Sequence, residues 1–119
     1  MKELPTITVL TPTFNRGNYL KDLFRSLMRQ TTYDFTWMII DDGSSDNTER
    51  IVQCFSLQSK FKIRYFRKKN GGKHTALNVG IQKTNTPLTI IVDSDDELLP
   101  NCIQTILAYY EKYSGRRDL

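Results

Sequence analysis

Short apolar runs alternate along the chain with segments whose apolar residues recur at helical spacing. Residues 7–10 form the first run and predict a short buried strand. Between Leu20 and Met28 the apolar residues recur at intervals of three and four positions, which predicts a helix with one apolar face. This alternation is repeated three more times. The other predicted strands lie at 35–40, 61–66 and 87–92, and the other apolar helix stripes at 51–55, 76–81 and 103–110.

The repeated order of strand and helix predicts an α/β fold with a Rossmann-like, mostly parallel sheet and helices on both faces. The fourth strand, residues 87–92, is almost continuously apolar, which is typical of a strand buried on both faces. Asp46, followed by Glu49, resembles a capping box at the start of the second helix. In sheets of this kind, ligands bind beyond the carboxyl ends of the strands.

Composition narrows the class of protein but does not decide its function. At 119 residues, with 39% hydrophobic and 25% charged residues, the chain is long and apolar enough for one packed domain. The net charge of +4 fits an ordinary basic protein, and it equally fits attraction to a phosphorylated ligand or an anionic membrane. No nucleic-acid partner is predicted.

The cysteines and the termini favour a cytoplasmic protein. Cys54 and Cys102 match no metal or redox spacing, and reduced, half-buried cysteines suit a reducing cytosol. No apolar run is long enough to span a membrane, and the N-terminus lacks the pattern of a signal peptide.

Polar clusters follow the first, second and fourth predicted strands, at residues 11–16, 41–46 and 93–96. Since the carboxyl ends of parallel strands share one edge of the sheet, we expect these clusters to form one site. The last cluster holds Asp93, Asp95 and Asp96, whose mutual repulsion is costly unless a cation or strong donors balance it. Magnesium or manganese, which prefer oxygen ligands, would balance it; a solvated acidic turn is the alternative.

Several residues of the other clusters have a binding interpretation and a structural one. Phe14 follows a strand and is either a core aromatic or a stacking face for a nucleobase. Asp41 could accept hydrogen bonds from a base or ribose, with residues 42–46 forming a turn and a helix cap. Arg16 and Lys73 are either phosphate ligands or solvated surface charges. The basic run at 67–69 is typical of a solvated loop.

Four segments together carry a family resemblance: "ITVLTPTFNRGNYL", "IIDDGSSDNT", "NGGKHTALNVG" and "DSDDELLP". In this order and spacing, from about Thr6 to Tyr110, they resemble the N-terminal half of the inverting, family 2 glycosyltransferases with the GT-A fold. Any one segment is weak, but four in order are specific. The resemblance implies that residues 1–119 form a nucleotide-sugar-binding domain that stops before the acceptor-binding half.

The resemblance also implies roles for individual residues. Asp95 would coordinate a divalent metal, Mn or Mg, with Asp96 as an alternative ligand. The implied donor-binding residues are Pro12, Thr13, Phe14, Arg16, Asp41, Lys73 and Asp93.

The implied reaction moves a sugar from a nucleotide-diphosphate sugar, with uridine diphosphate preferred, to the hydroxyl of a glycan or lipid-linked acceptor. The anomeric centre is inverted, and the metal neutralises the leaving diphosphate. The carboxylate base that activates the acceptor is expected beyond residue 119, so this chain alone is expected to be inactive. The family's lipid-linked acceptors and the basic charge together predict a peripheral contact with the inner face of the membrane.

Other classes of protein remain as alternatives. A non-catalytic nucleotide-sugar-binding module would show the same motifs without turnover. A signalling receiver domain has a similar length and sheet, but it places its acids after the first and third strands and a lysine after the fifth. A nucleotidyltransferase is expected to have a glycine-rich, basic loop directly after the first strand, where this chain has residues 11–16.

Overall fold

The computed structural model describes residues 5–114, and residues 1–4 and 115–119 lie outside the described part. Strands and helices alternate strictly, as the hydrophobic pattern predicts. The elements are β1 (Ile7–Thr13), α1 (Gly17–Met28), β2 (Phe35–Asp41), α2 (Thr48–Gln58), β3 (Lys62–Arg67), α3 (Lys73–Lys83), β4 (Leu88–Ile91) and α4 (Cys102–Ser114).

The four strands form one parallel sheet in the order β3-β2-β1-β4. The chain builds outward from β1 to β2 and β3, and then returns to place β4 on the other side of β1. The direction of strand addition therefore reverses beside β1, and a ligand crevice is expected between the ends of β1 and β4 at such a switch point. This topology places the ligand-binding edge at Thr13 and at the turn after Ile91.

Alternate residues of β1 and β2 pack on opposite faces of the sheet, as strand geometry requires. On one face Val9, Trp37 and Ile39 pack against α1, α2 and Ile103 of α4. The ring of Phe24 lies stacked 4.3 Å from that of Phe55 at the centre of this core.

The opposite face is a smaller core formed by Leu10, Met38 and Ile40 with Ala76 of α3. A Cβ added at Gly80 would lie 2.4 Å from the Leu10 side chain, so this glycine lets α3 approach the sheet closely. Helices cover both faces, and the predicted α/β architecture with a Rossmann-like parallel sheet is confirmed.

The structure corrects the prediction that the fourth strand is buried on both faces. Within the described residues β4 pairs only with β1, so it is an edge strand. Its residues are exposed or only half-buried, and Ile91 is 52% exposed.

Two smaller expectations also change. The helix α2 begins after Asn47, so Asp46 lies one residue before the cap, where its carboxylate accepts the Thr48 N–H. Glu49 faces Arg67 at 3.9 Å, and the predicted capping box does not form.

Cys54 is exposed where a half-buried side chain was expected, whereas Cys102 is partly buried, and both thiols are free. In the described part of the chain, every helix is too short or too polar to cross a bilayer.

Candidate functional site

A cleft of about 320 Å³ opens at the carboxyl edge of the sheet, between the ends of β1 and β4. Four segments that are far apart in sequence meet there: residues 12–16, 42, 73–76 and 93–95. The lining residues are Pro12, Thr13, Phe14, Arg16, Asp42, Lys73, Ala76, Asp93, Ser94 and Asp95.

The end of β1 forms one wall of the cleft. Pro12 and Thr13 are buried, and the Thr13 hydroxyl has no hydrogen-bond partner within residues 5–114. Buried polar atoms are nearly always hydrogen-bonded, so an unpartnered hydroxyl at this position is unusual. The ring of Phe14 is 46% exposed, so Phe14 is not a core aromatic and presents an open face to the cleft.

The acidic turn after β4 forms the facing wall. Asp93, Asp95 and Asp96 each place one carboxylate oxygen within 4.8 Å of the others. Asp96 does not line the cleft, and its Oδ2 accepts the Asp93 N–H at 3.3 Å. Three converging carboxylate oxygens are the donor set that a hard divalent cation prefers, so the residues fit the implied metal.

Two basic side chains reach these carboxylates from the other walls. Lys73 Nζ lies 2.7 Å from Asp93 Oδ1, and an Arg16 guanidinium nitrogen lies 3.6 Å from Asp95 Oδ2. Arg16 and Lys73 are thus not isolated surface charges, since both lie in the cleft beside the groups that would hold a metal and a diphosphate.

Asp41 is not among the residues that line the cleft, so the structure gives no support to its predicted contact with the ligand. The side chain is fully buried. Its Oδ1 accepts the Ser44 N–H at 2.9 Å, and its Oδ2 accepts the Tyr65 hydroxyl. Burial, together with this hydrogen bond to Asp41, raises the pKa of Tyr65. Asp41 shares the face of β2 that carries Trp37 and Ile39, which packs against α1 and α2.

Asp42 lines the cleft instead of Asp41. The sequence predicted only a turn and a helix cap for residues 42–46, and so missed this position of Asp42. Its carboxylate accepts hydrogen bonds from Lys68 Nζ at 2.8 Å and from the N–H groups of Gly71 and Gly72 at 3.0 and 2.8 Å. Asn70 Nδ2 contributes another at 3.2 Å. Burial alone would raise the pKa of Asp42, but the bonds from Lys68, Gly72 and Gly71 outweigh it and lower the pKa.

These bonds explain how the turn before α3 is held. Gly72 has φ +101° and Gly43 has φ +82°, and a Cβ added at Gly43 would lie 2.9 Å from the Asn70 backbone nitrogen, so neither position suits another residue. Lys68, expected in a solvated loop, is largely buried by this arrangement, whereas Lys69 is exposed as predicted. Asp42 therefore fixes the helix start that carries Lys73.

The sequence matches a known family model over most of its length. Residues 8–115 match the model of the family described as "Glycosyl transferase family 2". The chain belongs to this family. Its receiver-domain and nucleotidyltransferase alternatives are thereby set aside.

Two curated relatives show how this family 2 chain compares with longer proteins. Glycosyltransferase GlyG of Streptococcus pneumoniae is 36% identical over 107 residues, which cover 89% of this chain and 35% of GlyG. The GalNAc(5)-diNAcBac-PP-undecaprenol beta-1,3-glucosyltransferase of Campylobacter jejuni is 31% identical over 106 residues, covering 87% and 34%. The chain thus spans about a third of the length of these two relatives.

A solved structure matches this family 2 chain at the level of the fold as well. S. aureus TarS 1–349 in complex with UDP-GlcNAc superposes with a TM-score of 0.84 at 26% identity, covering 92% of this chain and 32% of TarS. The GT-A fold expected from the resemblance is therefore confirmed.

Proposed function

We propose that this chain is the donor-binding part of a glycosyltransferase that uses a nucleotide-diphosphate sugar, with uridine diphosphate as the nucleotide. The cleft carries this proposal, because it joins an exposed aromatic ring, two cations, an unpartnered hydroxyl and a carboxylate cluster. The presence of UDP-GlcNAc in TarS, which shares the fold and 26% of its residues, supports the choice of nucleotide.

Each wall of the cleft has a part in binding the donor. Phe14 stacks on the nucleobase, an interaction worth ~1–3 kcal/mol per base in other systems. The Thr13 hydroxyl supplies a hydrogen bond that the protein itself does not satisfy. Arg16 and Lys73 meet the diphosphate, helped by the positive end of α3, which begins at Lys73.

The acidic turn holds a divalent cation, manganese or magnesium. Asp95 and Asp96 are its ligands, and Asp93 faces the ribose or the sugar. When bound, the cation neutralises the negative charge that grows on the leaving diphosphate. The acidic turn keeps these carboxylates together and leaves Asp93 and Asp95 open to the cleft.

The acceptor is a glycan or a lipid-linked glycan whose hydroxyl attacks the anomeric carbon from the face opposite the diphosphate, with inversion. The Campylobacter relative, whose name includes an undecaprenol-linked glycan, supports a lipid-linked acceptor. The net charge of +4 supports a peripheral contact with the inner face of the membrane. Binding to anionic vesicles that weakens as salt is raised would test this contact.

Calorimetric titration of the chain with UDP, GDP and UDP-GlcNAc, with and without Mn²⁺, tests the donor site. We expect the uridine compounds to bind only with the metal, and Asp95→Asn to weaken that binding at least about tenfold, since loss of even an outer-shell partner of a metal ligand typically costs ~10–100-fold. Equal affinity with and without metal would contradict the proposal. Hydrolysis or transfer of the sugar by the bound chain separates an enzyme from a binding module without turnover.

A further inference from the structure

Asn15 joins the loop after β1 to the loop after β2. Its backbone N–H donates to Ser44 Oγ at 2.8 Å. Its side-chain Oδ1 accepts the N–H groups of Ser45 at 2.8 Å and Asp46 at 3.3 Å. One residue therefore uses its main chain and its side chain to bind three consecutive residues of the neighbouring loop.

The backbone of Asn15 is held in an uncommon conformation. Its φ is +52°, and no other non-glycine residue within 5–114 has a positive φ. Asparagine tolerates this left-handed region better than most residues, but it persists only where the surroundings impose it. Here the hydrogen bonds from Asn15 to residues 44–46 impose the positive φ, so the conformation and the contacts depend on one another.

The connection is reciprocal. Asp46 Oδ2 accepts the Gly17 N–H at 3.3 Å, while its Oδ1 accepts the Thr48 N–H at the start of α2. Burial would raise the pKa of Asp46, but the bonds from Thr48 and Gly17 lower it, so the carboxylate is charged at neutral pH. The first residue of α1 and the first residue of α2 are therefore tied to one side chain.

The loop after β2 is itself anchored in the core. Ser44 donates its N–H to the buried Asp41, which also accepts the hydroxyl of Tyr65 on β3. Asn15 is thus the outer end of a chain of hydrogen bonds that runs through Ser44 and Asp41 to Tyr65. Asp41, for which the sequence predicts a contact with the ligand, is the middle member of this chain of hydrogen bonds.

We propose that Asn15 is a positioning residue that sets Phe14 and Arg16 in the cleft. The inference rests on the proposed donor site. Phe14 is 46% exposed, so its direction depends on the backbone more than on packing. The Arg16 side chain contacts exposed partners, Asp95 at 3.6 Å and the Tyr19 ring at 5.3 Å, while its carbonyl oxygen accepts the Tyr19 and Leu20 N–H groups. The backbone between Phe14 and Arg16 is held by the hydrogen bonds of Asn15.

The test compares three substitutions at this position. Asn15→Gly keeps access to positive φ and removes the side-chain acceptor, and we expect it to weaken UDP–Mn²⁺ binding about tenfold. Asn15→Asp keeps an acceptor and tolerates the same φ, so it should restore affinity to within about threefold. Asn15→Ala loses both features and should be the weakest. Affinity for Mn²⁺ alone should change less than affinity for UDP–Mn²⁺, because the acidic turn meets this network only through the exposed Arg16–Asp95 pair at 3.6 Å.

Matched controls separate positioning from stability. Asn18→Ala makes the same chemical change at an exposed position three residues away and should leave binding unchanged. Ile7→Val removes a buried methyl group at the opposite end of β1 and should lower the melting temperature without weakening UDP binding. If Asn15→Gly destabilises the chain like Ile7→Val but keeps full UDP affinity, the inference is wrong.

Backbone ¹⁵N relaxation gives a readout that needs no nucleotide. Fast motion of the Phe14 and Arg16 amides should increase in Asn15→Gly and stay at the wild-type level in Asn18→Ala. Unchanged motion in Asn15→Gly would overturn the positioning role. If instead the wild-type chain binds no nucleotide diphosphate but the relaxation result holds, the proposed donor site fails while the role of Asn15 in ordering the loop stands.

Discussion

Lys73 Nζ lies 2.7 Å from Asp93 Oδ1, and this ion pair joins two facing walls of the cleft. Arg16 makes a second, longer pair with Asp95. The cleft thus balances its own acidic turn with the side chains that would bind a diphosphate. A cation bound at the acidic turn, as proposed, would take over the carboxylates, and the two basic side chains would then be free to turn to the phosphates.

Replacing Lys73 by methionine should change two affinities in opposite directions. UDP binding should weaken, because a phosphate ligand is lost. Mn²⁺ alone should bind up to about fivefold more tightly, because a competing cation is removed; the gain is small since such exposed pairs contribute at most ~1 kcal/mol. Titration with each ligand measures both effects.

Lys69→Met is the matched control for this pair of effects. Lys69 is exposed and lies four residues before Lys73, outside the cleft. If both variants raise the affinity for Mn²⁺ equally, the effect comes from net charge alone, and the contact with Asp93 has no special part in it.

Asp42→Asn should destabilise the chain, because an amide NH₂ group would face the donors of Lys68, Gly71 and Gly72. Leaving buried donors unpaired costs ~1–3 kcal/mol in the free energy of unfolding. Denaturant unfolding measures the loss. Asp22→Asn, at an exposed ion pair on α1, should change stability by less than about 1 kcal/mol.

The lowered pKa of Asp42 also predicts how stability depends on pH. Since the folded pKa lies below the unfolded value of about 3.9, this stabilisation is complete above that value. It is lost as the pH falls through the lower, folded pKa. Unfolding measured between about pH 5 and pH 2 should therefore show a steeper acid loss for the wild type than for Asp42→Asn. Parallel curves would contradict the role assigned to this carboxylate.

Phe14→Ala should weaken UDP binding by ~1–3 kcal/mol, the range measured for base stacking, with little change in melting temperature. The small effect on stability follows from the exposure of the ring. Phe14→Trp should retain most of the affinity, because it keeps a flat aromatic face. Tyr109→Ala, which removes an exposed aromatic on α4 away from the cleft, should alter neither quantity.

Gly80→Ala should lower stability, although alanine usually favours a helix over glycine by ~1 kcal/mol. The added Cβ would lie 2.4 Å from Leu10, and overpacking of this kind costs ~1–3 kcal/mol. Asn78→Ala, at an exposed position of the same helix, should be neutral or stabilising. Thermal unfolding should give a lower melting temperature for Gly80→Ala and an equal or higher one for Asn78→Ala, and a stabilised Gly80→Ala would reject the close approach of α3.

The sequence by itself determined the order of elements, the parallel α/β class and the location of the site. Hydrophobic period distinguishes strands from helices, and parallel strands bring their carboxyl ends to one edge. Phe14, Lys73 and Asp95 could therefore be assigned to one cleft from the sequence.

Tertiary structure alone decided which of two adjacent aspartates faces that cleft. Asp41 and Asp42 follow a strand that is apolar on both faces, so its sequence does not reveal which face meets α1 and α2. Because neighbouring side chains of a strand point in opposite directions, the same packing of the sheet that buries Asp41 turns Asp42 towards the cleft. The exposure of β4 and the burial of Lys68 likewise depend on what lies beside them in space, which local periodicity does not encode.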